Sequence, residues 1–369
     1  MNMDNLRKIY IEPTTLCNLD CRTCIRHTWK ESQGHMPWEV FESLLAGLTA
    51  FPQVRTMSFA GFGEPLFHPR IVDMIRIASE RGMRTEITSN ALLLTPALVA
   101  DLIHAGLNQF VVSIDGASDE TFGNIRSNAS VREVIKNVKR FQPGLSDEAK
   151  QPITIGVAFV AMKSNIKELP KIYKIAEYLN ASFVLVSNVL PYTAELEKEG
   201  LFQLGLSARK TTSCLPTIML PKMDWSVHTQ APLATVLRRQ PNLRFLDLEI
   251  DPHSFNNNCP FIQAESLAVS WDGHISPCVP LLHSYACYAR GREKQIKCHH
   301  VGQLPDQPLQ DIWNEPAYAA FRKRVRKFDF PSCPDCDCYM ADNNEADCQG
   351  NPFPVCGDCL WARGIIRCP

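Results

Sequence analysis

Fifteen cysteines, unevenly spread, constrain this 369-residue chain more than any other feature. Three lie together at Cys17, Cys21 and Cys24, Cys214 stands alone, and the remaining eleven all fall from Cys259 onward. In a short secreted chain such density means disulfides. This chain is long, and its opening, MNMDNLRKIYIEP, lacks the apolar stretch of a secretory signal. A reducing, cytoplasmic setting is therefore expected, where clustered thiols serve as metal ligands. The split predicts two metal-bearing regions.

Composition excludes several partners. Net charge is −1, from 38 basic and 39 acidic residues, so neither a nucleic acid nor a membrane surface is expected as a partner. No apolar run approaches the roughly 20 residues of a membrane-spanning helix. Hydrophobic residues at 45% and charged residues at 21% suit a globular protein long enough for a large catalytic domain and a smaller one.

Periodicity organises the first half. RKIYIE (7–12), RTMSFAG (55–61), TEITSN (85–90), QFVVSID (109–115), ITIGVAFV (153–160) and SFVLVSNVL (182–190) read as strands. Helices are expected near 37–49, 69–82, 96–105, 130–141 and 166–179. Strands that alternate with helices pair in parallel through right-handed crossovers. The expectation is an α/β fold, a partial (β/α)6 TIM-like barrel over residues 1–195. Prolines punctuate a bridging region, 196–258, with helices near 194–204 and 231–239. Residues 259–369 form a small cysteine-rich domain, too turn-rich to hold itself together without metal.

The loop Cys17-Asn-Leu-Asp-Cys21-Arg-Thr-Cys24 follows the first strand, whose C-terminal end faces the mouth of such a barrel. Three thiolates hold three corners of an iron–sulfur cubane and leave one iron open. A zinc knuckle completed by His27 or His35 is the alternative. After the second strand, Gly61-Phe62-Gly63-Glu64-Pro65 combines glycines that let backbone approach a ligand with a carboxylate suited to an ammonium group. Ser89 and Asn90 end the third strand, and Ser113 and Asp115 the fourth. Their short polar side chains suit hydroxyl and carboxylate groups of a ligand, or equally cap the following turns.

The cysteine motif with the Gly-rich turn resembles the radical SAM superfamily. That resemblance implies a SAM-binding 4Fe–4S cluster on Cys17, Cys21 and Cys24, with S-adenosyl-L-methionine (SAM) on the open iron. It further implies that Gly61, Gly63 and Glu64 receive the SAM amino group, that Arg126 meets its carboxylate, and that Ser89, Asn90, Ser113 and Asp115 serve its ribose hydroxyls and carboxylate. Reductive cleavage of SAM to a 5′-deoxyadenosyl radical would follow, the electron coming from an external donor such as ferredoxin or flavodoxin. The chain departs from the family pattern at Thr23, where a large or aromatic residue is usual.

Downstream, Trp271-Asp272-Gly273-His274 predicts a hairpin turn that brings Cys259 and Cys278 together. The G-x4-C spacing resembles the SPASM domain, which implies one or two auxiliary 4Fe–4S clusters. Cys259, Cys278, Cys333, Cys336, Cys338, Cys348, Cys356, Cys359 and Cys368 are the candidate ligands, and their partition stays open. The spacing before the last cysteines is longer than the usual SPASM form, and a zinc ribbon is the competing reading. Cys214, Cys287 and Cys298 fit no ligand spacing and read as ordinary thiols.

The strings CIRHTW (24–29), GFGEPLFHP (61–69), VAMKSNIKELP (160–170), VSNVLPYT (186–193) and CGDCLWARGIIRCP (356–369) together resemble the maturases associated with tungsten-containing aldehyde oxidoreductases. The implied substrate is that oxidoreductase, its cofactor or an associated peptide. A SPASM-type peptide- or protein-modifying enzyme, cross-linking or sulfatase-maturase-like, is the alternative; a non-catalytic electron carrier or zinc adaptor is a third. Asn188 and Tyr192, at the end of the sixth strand, are expected to line the barrel mouth.

Overall fold

Largely buried strands alternate with helices, several of them begun by side-chain caps, among the described residues. The computed structural model describes residues 6–127, 129–141, 153–202, 217–219, 223–238, 258–289, 291–331 and 342–368. The six expected strands are all present: β1 (Lys8–Ile11), β2 (Thr56–Phe59), β3 (Arg84–Ser89), β4 (Gln109–Ser113), β5 (Thr154–Ala161) and β6 (Phe183–Asn188). Between them run α1 (Trp38–Gly47), α2 (Ile71–Glu80), α3 (Pro96–His104), α4 (Asp119–Ile125), α5 (Val131–Val138) and α6 (Leu169–Tyr178). Then follow α7 (Ala194–Lys198), β7 (Thr217–Met219) and α8 (Gln230–Arg238). The rest comprises α9 (Pro260–Gln263), β8 (Ser266–Val269), β9 (His274–Ser276), β10 (Tyr285–Ala289), β11 (Arg292–Ile296), β12 (Gly302–Gln303), α10 (Leu309–Asn314) and α11 (Pro316–Lys327).

Caps explain several boundaries. Thr95, Ser118, Ser130 and Thr193 each accept a hydrogen bond from a backbone N–H of the first turn of α3, α4, α5 and α7. Ser118, followed by Asp119 and Glu120, starts α4 inside a segment expected to be merely polar, because acidic side chains favour a helix N-terminus. The helix expected near 194–204 stops at Lys198.

The chain divides into two compact units, each drawn from separate stretches. The first comprises Met1–Asn18, Ile25–Glu86 and Asn257–Arg363. Within it β1 pairs in parallel with β2 and, on its other side, with β8. The predicted hairpin forms as antiparallel β8 and β9, with β12 antiparallel beyond. The parallel addition of β8 to β1 was not foreseen. It is possible because β8, Ser-Leu-Ala-Val, is buried at every position, as a parallel strand covered on both faces must be. Ile9, Ile11, Met57, Phe59, Leu267 and Val269 fill the centre of this unit.

The second unit comprises Leu19–Cys24, Ile87–Asn256 and Gly364–Pro369. Here β4, β5, β6 and β7 pair in parallel in that order. Phe110, Val112, Val157, Phe159, Val184 and Val186 alternate through its buried centre, and Phe122 of α4 and Tyr173 of α6 lie fully buried as well. The architecture is thus the expected α/β one, with parallel strands alternating with helices. Among the described residues no helix is long and apolar enough to cross a membrane.

Candidate active site and thiol cluster

In the first unit, the segment from Glu12 to Cys17 leaves β1 and is immediately pinned. Thr14 Oγ1 donates to the Gly34 carbonyl (2.9 Å) and accepts from the Leu16 amide (3.0 Å). The Leu16 carbonyl in turn accepts the Glu64 amide (2.9 Å), which fixes the Gly61–Glu64 turn beside the residue preceding Cys17. Gly61 sits at φ +155°, and a Cβ there would lie 2.6 Å from Glu12 Cγ. A Cβ on Gly63 would run into the Thr14 carbonyl, so both glycines are demanded by close approach. Glu64 is almost fully buried, and its Oε1 accepts the Leu66 amide (3.1 Å), capping the short helical turn Pro65–Phe67. Cys17 is half-buried.

In the second unit, Cys21 and Cys24 are also half-buried, and the Cys24 amide donates to the Cys21 carbonyl (2.9 Å). The intervening Arg22 amide donates to the Ile125 carbonyl (2.9 Å), and the Ser127 hydroxyl donates to the Asp20 carbonyl. The cysteine arm therefore hangs from the C-terminus of α4. Next to that terminus Arg126 donates through Nε (2.8 Å) and Nη2 (2.6 Å) to Asp115 Oδ2, while Asp115 Oδ1 accepts the Val160 amide (2.9 Å). Sequence reasoning named Asp115 and Arg126 as separate ligand contacts; the structure brings them together as one pair, with Asp115 buried and Arg126 half-buried. Ser89 Oγ and Asn90 Oδ1 accept the Ala91 and Leu92 amides (2.9 and 3.0 Å), the local turn bonds that competed with ligand binding. Ser113 ends β4, half-buried.

Asn165 was missed. Completely buried, it donates to the Asp115 and Val160 carbonyls (2.9 and 2.8 Å) and accepts the Met162 amide (2.7 Å). It thereby ties the end of β4 to the end of β5. Asn188, expected to face the barrel mouth, instead donates from Nδ2 to the Ile365 carbonyl (2.9 Å), and Ser187 Oγ accepts the Arg367 amide (3.0 Å). The tail carrying half-buried Cys368 is thus fastened across the end of β6. Tyr192 is buried nearby in sequence.

The thiols of the first unit resolve into a group. Cys259 and Cys278 are buried, and Cys356 and Cys359 lie in the same electrostatic neighbourhood, with Cys259, Cys356 and Cys359 each pushing up the pKa of one or more of the other thiols. Burial is the larger cause throughout, and it carries Cys259 to about 12. The Asn258 amide donates to the Ala362 carbonyl (3.2 Å), which holds the two cysteine-bearing segments together. Positive charge offsets the burial: Lys294 and Arg324 lower Cys356, and Lys294 and Arg363 lower Cys359. Among the described residues no three acidic, His or Cys side chains close on a point as a single ion requires. Cys287, on β10, is buried and Cys298 half-buried, while Cys348 is exposed. Cys333, Cys336, Cys338 and Cys214 lie outside the described residues.

Three residues near the Gly61–Glu64 turn also escaped sequence reasoning. Glu12, completely buried, accepts from the Phe62 amide (3.0 Å) and from His283 Nε2 (2.7 Å), and Glu31 accepts from His283 Nδ1 (2.6 Å). The available signal was an acidic residue closing an apolar strand at its C-terminal end.

Comparison with known proteins agrees with these features. Residues 11–146 match the radical SAM superfamily, and residues 259–338 match SPASM, an iron–sulfur cluster-binding domain. The tungsten-containing aldehyde ferredoxin oxidoreductase cofactor-modifying protein of Pyrococcus furiosus is 29% identical over 372 residues, spanning 99% of this chain and 97% of that protein. The AdoMet-dependent heme synthase of Methanosarcina barkeri is 28% identical, spanning 86% of this chain and 84% of its own. In fold, Streptococcus suis SuiB bound to S-adenosylmethionine matches with a TM-score of 0.61 at 16% identity, over 94% of this chain and 73% of that one. The chain is therefore a radical SAM/SPASM enzyme, with its radical SAM domain over residues 11–146 and its iron–sulfur cluster-binding domain over residues 259–338.

Proposed function

We propose that this enzyme reductively cleaves SAM and uses the radical so formed to modify the cofactor of a tungsten-containing aldehyde oxidoreductase. The observation that carries the substrate is the near full-length similarity to the Pyrococcus furiosus cofactor-modifying protein. In this reading residues 1–195 are the catalytic core, 196–258 the bridge and 259–369 the auxiliary-cluster domain.

The residues fit the cofactors that the two domains imply. Cys17, Cys21 and Cys24 would hold the first cluster, on a loop braced by Glu64 and Leu16 on one arm and by Ile125 and Ser127 on the other. Cys259, Cys278, Cys356 and Cys359 would hold an auxiliary one. Two buried and two half-buried thiols with raised pKa values gain nothing from one another as free thiols; bound iron favours their thiolate forms, and Lys294, Arg324 and Arg363 add compensating positive charge. With a reduced 4Fe–4S cluster and SAM bound, the site supplies an electron to the sulfonium and a 5′-deoxyadenosyl radical to the substrate.

The protein's own part is binding and orientation. The Gly61–Gly63 backbone packs closely against Glu12 and Thr14, and Glu64, buried beside it, would attract the ammonium group of SAM. Arg126, held by Asp115, would serve as a fixed cation for the SAM carboxylate. An external one-electron donor, ferredoxin or flavodoxin, would re-reduce the cluster.

The test is anaerobic incubation of the reconstituted enzyme with dithionite and SAM, followed by chromatography for 5′-deoxyadenosine. The products are then assayed by mass spectrometry of the tungsten cofactor from a partner oxidoreductase, with and without this enzyme. A mass change in the cofactor supports the reading. A change confined to a peptide moves the assignment to peptide modification, and no 5′-deoxyadenosine with intact clusters overturns both.

A further inference from the structure

His283 is 4% exposed and stands between two carboxylates, with Nε2 2.7 Å from Glu12 Oε2 and Nδ1 2.6 Å from Glu31 Oε2. A neutral imidazole owns one N–H, whereas two carboxylates at these distances require two donors. The ring is therefore an imidazolium, and its distances are those of charge-assisted bonds. Burial alone would strip the proton. Glu12 and Glu31 overcome it and raise the pKa to about 10.

The contacts continue outward in both directions. Glu12 uses its other oxygen to accept the Phe62 amide (3.0 Å), and Gly61 lies so close above Glu12 that no side chain fits there. Glu31 uses its other oxygen to accept the Ser284 amide (3.0 Å). The Trp29 ring lies over His283 at 4.1 Å between centroids, and the Phe62 ring meets both edge-on, at 5.4 Å from Trp29 and 5.8 Å from His283. Four pieces of chain converge here: the end of β1 ahead of Cys17, the segment just past Cys24, the Gly-rich turn, and the segment just past Cys278. Burying an ion triad is a costly way to stabilise a fold, since packed apolar residues do as well or better. What the triad adds is a fixed orientation.

We infer that Glu12, His283 and Glu31 form a positioning clamp through which the segment following Cys278 holds the Gly61–Glu64 turn in its SAM-binding conformation. This deepens the SAM reading above and rests on it. His283 is a positioning residue: it acts on SAM through Glu12 and the Phe62 amide. Removing its charge leaves one oxygen of buried Glu12 unmatched and only the Phe62 amide holding the other, and misplacement near 1 Å at a reactant site weakens function far more than it weakens the fold.

The experiment uses the full-length holoenzyme with all clusters reconstituted, comparing wild type with Glu12→Gln, His283→Gln and Glu31→Gln. It reads the equilibrium Kd for SAM in the unreduced enzyme, the KM–kcat split for 5′-deoxyadenosine formation, and iron per chain. Glu12→Gln and His283→Gln are expected to raise the Kd and KM for SAM about tenfold or more, to lower kcat less than they raise KM, and to keep wild-type iron. Glu31→Gln, with its carboxylate more than a third exposed, is expected to raise Kd about threefold and serves as the arbiter if the others fail to fold. Unchanged SAM affinity in folded, iron-replete variants overturns the clamp while leaving the SAM reading intact. Failure of the wild-type holoenzyme to bind SAM overturns that reading and the clamp with it.

Discussion

Two guanidinium nitrogens of Arg126 converge on a single oxygen of Asp115, at 2.8 and 2.6 Å, with the carboxylate 1% exposed. The other oxygen is occupied by the Val160 amide, so Asp115 has no access to water to replace a lost partner. Arg126→Ala then strands a buried charge, and the expected loss of stability is about 3–5 kcal/mol. Arg126→Lys keeps the charge and loses the second donor, so it should fall between the two. Denaturant midpoints of the three reconstituted proteins test the order. Because Arg22 hangs from Ile125, the alanine variant should also lose iron from the first cluster; full iron with an unshifted midpoint would refute the structural role.

That pair also marks the limit of what the chain discloses in one dimension. Strands β1 to β6 and the cysteine loop were legible because their signals are local: apolar runs, cap residues, fixed Cys spacing. Ser89 and Asn90 were legible as polar groups at a strand end, but the same short side chains suit a turn or a ligand, and the turn bonds are what the structure shows for their oxygens. Asp115 and Arg126 are close in sequence yet read as two ligands, since nothing in their spacing announces that α4 folds one onto the other. Glu12 and His283 stand 271 positions apart, and neither belongs to a motif. The parallel addition of β8 to β1 likewise leaves no local trace, because a short, wholly buried strand has no alternation to reveal its partner.

The buried imidazolium of His283 makes stability fall on the alkaline side. Its folded pKa, about 10, lies above the unfolded value of 6.5. Its contribution is therefore fully present below pH 6.5 and is lost as pH rises through about 10, with a slope of up to about 1.4 kcal/mol per pH unit between. His68, His299 and His300 act in the opposite sense, because burial lowers their pKa values and their contribution is lost as pH falls below 6.5. Glu31, lowered by His283 and the Ser284 amide against the pull of burial, adds to the acid limb. Urea denaturation from pH 6.5 to 10 should show a steeper decline for wild type than for His283→Gln, and parallel curves would contradict it.

The four-thiol group makes iron content a residue-by-residue test. Cys278→Ala and Cys356→Ala are each expected to remove one auxiliary cluster, about four irons per chain, while leaving the first cluster able to bind SAM. Cys21→Ala should do the reverse, abolishing 5′-deoxyadenosine formation with auxiliary iron retained. Cys287→Ala serves as the control: its buried thiol, on β10, is raised to about 11 by burial and also feels Cys359, yet it fits no ligand spacing. Equal iron loss in Cys287→Ala and Cys278→Ala would mean that the group has been drawn around the wrong thiols.

Gly63→Ala probes whether the SAM turn depends on backbone contact. Its backbone does not need a positive φ, so the substitution carries no conformational strain of that kind. The added methyl meets the Thr14 and Leu16 carbonyls, which are backbone atoms pinned by Gly34 and by the Glu64 amide and have little room to retreat. Overpacking of this sort costs about 1–3 kcal/mol, survivable for a domain of this size. The turn moves, and with it both Glu64 and the residue that leads into Cys17. A folded protein with wild-type auxiliary iron, a depleted first cluster and at least tenfold weaker SAM binding is expected. Gly82→Ala is the matched control, because a Cβ there meets nothing within 4 Å although φ is +78°. It should cost some stability through strain alone and leave SAM binding unchanged; if it weakens binding as much as Gly63→Ala, loss of stability rather than displacement of the turn explains both.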